Sequence, residues 1–64
     1  DAVKDTLDLG MVLGIIVQTG AWYKITDTQG KEVKLQGFSG VQDYYYNDLD
    51  ELEALKAEVY EATR

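Results

Sequence analysis

Two stretches, 21–27 and 31–37, alternate apolar and polar side chains on either side of Thr28-Gln29-Gly30. A three-residue loop ending in glycine is a hairpin loop, because its last position wants left-handed backbone that glycine adopts freely. That loop fixes the register. Asp27 faces Lys31, Thr26 faces Glu32, Ile25 faces Val33, Lys24 faces Lys34, and Tyr23 faces Leu35. Side chains alternate across a strand, so Tyr23, Ile25, Val33 and Leu35 share one apolar face, and Trp22, Lys24, Thr26, Glu32, Lys34 and Gln36 share the other. A hairpin with one greasy side does not stand alone in water. Something must seal it.

The rest of the chain offers helices for that purpose. Residues 3–13 carry Val3, Leu7 and Met11 at helical spacing, with Leu9, Val12 and Leu13 widening the stripe. Asp1 is the expected N-cap, and Gly14 the expected left-handed residue after the helix. Ile15-Ile16-Val17 reads as a short strand and Thr19-Gly20 as a turn. Ser39 opens a helix through about Tyr46, with Gln42 three residues on as in a capping box. Asp48 opens the last helix, with Glu51 at the matching position and Leu52, Leu55 and Val59 along one side; Leu49 is a further candidate for that side. The expected class is α+β: an N-terminal helix, a small antiparallel sheet with a β-hairpin, and two C-terminal helices. A helix beginning at the first residue suggests a piece of a longer protein.

With 64 residues there is room for one domain, 1–64. Neither cysteine nor histidine is present, so no disulfide or His/Cys-bound metal can staple it, and packing must supply the stability. Absence of cysteine fits a reducing compartment, and the longest apolar run, Met11–Val17, is far short of a membrane span. The expected location is cytoplasmic, with no membrane partner. The net charge of −6 is uneven. Residues 1–40 carry four lysines against five acids, whereas 41–64 carry two basic groups against seven. Long-range attraction to polyanions is not expected of the whole chain, so any anion site must be local to its first two-thirds.

Leu7-Asp8-Leu9-Gly10-Met11-Val12-Leu13-Gly14-Ile15-Ile16-Val17-Gln18-Thr19-Gly20-Ala21-Trp22-Tyr23 resembles the start of the C-terminal domain of RecA-family recombinases, whose Gly-Ala-Trp-Tyr signature is matched by Gly20-Ala21-Trp22-Tyr23. Gly30-Lys31-Glu32-Val33 and Gln36-Gly37 follow the family pattern, as do Tyr44, Leu55 and Val59. Gln18 and Phe38 stand where the family commonly carries basic residues linked to duplex contact, and Asp48-Leu49-Asp50 replaces its Asn-Pro-Glu. A divergent member, such as a phage-encoded recombinase, fits these departures. The resemblance implies an accessory domain of a bacterial or phage DNA recombinase that modulates duplex access during recombination and repair. Its partners would be double-stranded DNA, bound weakly, and the ATPase core of the same parent chain. ATP and magnesium would belong to that core, with no cofactor in this fragment.

Nothing in the residues points to catalysis: there is no Walker A loop, histidine or cysteine nucleophile pair. Asp48, Asp50, Glu51 and Glu53 read as a solvated helix start. Lys24 and Lys34, placed directly opposite, repel one another unless an anion lies between them. With Trp22 and Lys31 they form the candidate DNA-binding set: Trp22, Lys24, Lys31, Lys34. Against this, the lysines can serve solubility alone and Trp22 can fold over the first helix as core. Tyr44-Tyr45-Tyr46 cannot all point one way on a helix, so some are buried and at least one is exposed. The alternative function is a non-catalytic protein-interaction module using the acidic last helix and exposed tyrosines.

Overall fold

The computed structural model describes residues 2–64; the expected cap at Asp1 lies outside the described residues. Helix α1 (Ala2–Val12) buries Leu7 and Gly10, flanked by partly buried Val3 and Met11. Leu9, Val12 and Leu13 do not widen this stripe; all three are exposed, Val12 by 82%. Helical geometry explains the difference for two of them. At about 100° per residue, Leu9 and Val12 sit roughly 140–160° from Leu7, on the far side of the cylinder. Leu13 lies past the last helical turn. The helix ends as expected at Gly14 (φ 80°). The Gly14 amide donates to the Met11 carbonyl at 3.1 Å and the Ile15 amide to Gly10 at 2.9 Å, the paired bonds of a Schellman ending.

This ending moves the first strand. The Ile16 amide also donates to the Gly10 carbonyl, at 3.0 Å, so Ile15 and Ile16 fold back on the helix. Strand β1 is Val17–Thr19, later than the expected 15–17, and Ile16 is a core residue rather than a strand residue. A two-residue loop, Gly20-Ala21, leads into β2 (Trp22–Thr26), with positive φ at Gly20 alone, as a II′ hairpin turn requires.

Strand β3 (Glu32–Gln36) pairs with β2 in the register expected from the loop, Lys24 opposite Lys34 and Ile25 opposite Val33. Asp27 organises the loop: its Oδ1 accepts from the amides of Gln29 (2.9 Å) and Lys31 (2.8 Å), and Gly30 takes φ 80°. The antiparallel sheet has order β1-β2-β3. Tyr23 and Ile25 are buried on its inner face, with Val33 and Leu35 partly buried beside them.

Helix α2 (Gly37–Tyr46) begins two residues before the expected Ser39, which lies inside the first turn and caps nothing. Gly37 has φ 73°, and its amide donates to the Ala21 carbonyl at 2.8 Å. The chain therefore swings from sheet to helix at a single glycine, leaving no residues free for a separate cap. Helix α3 (Leu49–Thr63) does start at Asp48, whose Oδ1 accepts from the Glu51 amide at 3.3 Å. It buries Leu52, Leu55 and Val59, while Leu49 faces solvent. Helix α2 packs on β2 and β3, and α3 lies against α1 and α2. The core, Leu7, Ile16, Tyr23, Ile25, Val41, Tyr45, Leu52, Leu55 and Val59, draws on every element except β1 and β3. The architecture is the expected α+β arrangement.

Candidate nucleic-acid interface

The sheet has one face without a helix. Cross-strand pairing puts Val17 and Thr19 from β1, Trp22, Lys24 and Thr26 from β2, and Glu32, Lys34 and Gln36 from β3 on that side. All are exposed. Trp22 does not fold over α1: it is 51% exposed and lines an open groove with Thr19, Lys24, Glu32 and Lys34. The Gly20-Ala21 turn delivers it there, since Trp22 pairs with Thr19 across a two-residue loop and with Gln36 on its other side.

Lys24 and Lys34 are direct cross-strand partners, as the register requires. Their repulsion has an internal answer that alternation alone did not reveal. The Lys24 ammonium reaches diagonally to Glu32, 3.6 Å away, with both side chains about half exposed. Such a pair is worth well under about 1 kcal/mol and exchanges readily with another anion. Lys34 makes no ion pair among the described residues. Lys31 is separated from this group. It precedes β3, faces Asp27, and by alternation belongs to the opposite side of the ribbon from Lys24 and Lys34. The structure thus brings Trp22, Lys24 and Lys34 together and leaves Lys31 at the hairpin tip.

The tyrosine run divides as expected, with Tyr45 buried, Tyr44 half-buried and Tyr46 exposed. Tyr44 and Tyr45 meet edge to face, ring centres 5.0 Å apart. Burial pushes the Tyr45 phenol well above its ordinary value, reinforced by Tyr44, Glu51 and Glu58. Tyr44 is raised in the same sense, by burial first and then by Glu51, Asp27 and Asp48.

One feature at the hairpin tip gave no sequence signal. Glu51 does not return to its own helix start to complete a capping box. Its carboxylate instead accepts from the Thr28 amide (3.1 and 3.2 Å) and the Thr28 hydroxyl (2.6 Å), clasping the β2–β3 loop to α3. The partners are 23 residues apart, beyond the reach of any local pattern.

Among the described residues no group of three His, Cys, Asp or Glu side chains could hold a metal ion, and no helix is long and apolar enough to cross a membrane. In comparisons with known proteins, no family model, curated protein or solved structure matches this chain.

Proposed function

We propose that this chain is a non-catalytic accessory domain of a RecA-like DNA recombinase, touching the duplex backbone weakly through the uncovered face of its sheet. The observation that carries this reading is the grouping of half-exposed Trp22 with the cross-strand lysines Lys24 and Lys34 on a face that no helix covers. Two ammonium groups on adjacent strands suit one or two phosphates, and the indole offers a flat surface to a sugar or base. Glu32 yields Lys24 to an incoming phosphate at small cost, because the pair it leaves is solvated. The resemblance centred on Gly20-Ala21-Trp22-Tyr23 also supports the reading, since that segment forms the turn and strand that present Trp22. On this view the ATP- and magnesium-dependent chemistry resides in a core elsewhere in the parent, and this domain tunes how duplex DNA reaches it.

The test is an NMR titration with a short duplex at low salt. Shifts should concentrate at residues 17–24 and 32–36, and log K should fall with log salt at a slope near −1.8, about −0.9 for each of two phosphate contacts. The charge reversal Lys24→Glu with Lys34→Glu should abolish binding and leave the amide dispersion of the fold intact. Shifts confined to α3, with the sheet face silent, would refute the assignment.

A further inference from the structure

On the other side of the hairpin, a cleft opens between the β2–β3 loop and α3. Its volume is 140 Å³, room for a few atoms rather than a drug-sized ligand. Ile25, Ala54 and Leu55 give it an apolar wall; Asp27, Glu51 and Glu58 give it three carboxylates. None of these acids takes part in an ion pair, all four ion pairs among the described residues lying elsewhere. A second, independent feature points into the same space. Tyr45 lines the cleft and is only 3% exposed, and its hydroxyl makes no hydrogen bond among the described residues. Among the described residues no enclosed side-chain oxygen or nitrogen is orphaned, so the unpartnered Tyr45 hydroxyl is not sealed within the core, and Tyr45 lines the cleft. A hydroxyl without a protein partner is available to donate to, or accept from, a group that enters the cleft.

We propose that this cleft receives the ammonium head of a lysine side chain from a partner protein. The chemistry of the lining selects that group. Three carboxylates without ion pairs call for a cation, and the apolar wall calls for a methylene stem, which a lysine carries and a hydrated metal ion does not. The acids also fail to converge as a metal cluster. Arginine is disfavoured at Glu51, both of whose oxygens already accept from Thr28, which leaves that carboxylate no free edge for a two-pronged guanidinium. The spare lone pairs there suit single-point N–H donors. An ammonium has three: one for Glu51, one for Glu58 and one for the Tyr45 oxygen. The Thr28 clasp holds Glu51 in place beforehand.

The experiment is a titration of the ¹⁵N-labelled chain with Nα-acetyl-lysine methylamide at fixed ionic strength, run beside the arginine analogue, putrescine and MgCl₂. Saturable shifts at the Thr28, Glu51 and Leu55 amides are expected with a millimolar Kd, the range of a single anchoring contact. Glu58→Gln should weaken binding at least tenfold and Tyr45→Phe several-fold. The Glu58 side chain makes no hydrogen bond or ion pair among the described residues, so its replacement leaves the fold alone. Lys24→Glu, on the opposite face of the sheet, should change nothing, which separates this site from the duplex contact. The proposal is overturned by the absence of saturable shifts, by equal or stronger response to the arginine analogue or magnesium, by tighter binding of putrescine (a free polyamine site), or by unchanged affinity in Glu58→Gln.

Discussion

Tyr45 shows how one side chain can serve packing and still respond to pH. Its ring belongs to the core while its hydroxyl has no protein partner among the described residues, so Tyr45→Phe removes no hydrogen bond. At pH 7 that change should alter stability by no more than about 0.5 kcal/mol. Alkaline solution should tell the two proteins apart. Burial, and then Tyr44, Glu51 and Glu58, raise the phenol above the ordinary value of 10.0 that it regains on unfolding. Above that value the unfolded chain loses the proton and the folded chain keeps it. The folded state then binds more protons, so stability is intact below pH 10 and falls as pH rises toward the folded value. Urea unfolding at pH 9 and pH 11 should show a steeper loss for the native chain than for Tyr45→Phe. Some loss persists in the variant because Tyr44 is raised as well. Parallel losses would mean that Tyr45 is not shielded. Gly10 is the residue least legible beforehand. Nothing local marks a mid-helix glycine as core, yet a Cβ there would lie 3.1 Å from the Ile16 side chain, and its carbonyl takes two amides from the returning chain.

Elements were legible to the extent that local chemistry fixes them. The β2–β3 hairpin was readable down to its register because Thr28-Gln29-Gly30 and strict alternation leave one solution. The α1 ending is legible at Gly14, but β1 begins later than local pattern predicts because the residues after a Schellman ending are engaged by the helix they leave. At α2, a serine with glutamine three residues on looked like a helix start, and tertiary structure overrode it by tying Gly37 to Ala21. In the candidate site, the Lys24–Lys34 pairing followed from register, whereas the exposure of Trp22 and the Glu32 counter-charge needed the assembled sheet. The two helix starts now make a paired prediction. Ser39→Ala should be neutral within about 0.5 kcal/mol, since Ser39 caps nothing. Asp48→Ala should cost about 1 kcal/mol, since Asp48 accepts the Glu51 amide. Chemical denaturation of both variants decides it, and equal effects would remove the distinction drawn between these starts.

For the whole molecule, the controlling fact is how few residues form the core and how each element depends on the others. The sheet cannot seal its own inner face, α2 covers part of it, and α1 joins the assembly by packing on α3 and α2. Leu7, fully buried, is the main apolar anchor of α1, with Gly10 beside it. A chain of this size without cysteine or histidine to staple it retains only about 3–5 kcal/mol of net stability. Removing a buried leucine side chain costs about 2–5 kcal/mol, through lost burial and the cavity left behind. Leu7→Ala should therefore bring the domain to the edge of unfolding as one unit. The helical circular-dichroism signal and the dispersion of sheet amides should be lost together at 25 °C or only slightly above. Ile25→Val, which trims a single methylene from the opposite wall of the same core, should cost about 0.5–1.5 kcal/mol and leave a folded protein with a lower melting temperature. If Leu7→Ala loses only the α1 signals while the hairpin, α2 and α3 melt as before, then the sheet and last two helices form a core by themselves, and α1 is an appendage to it.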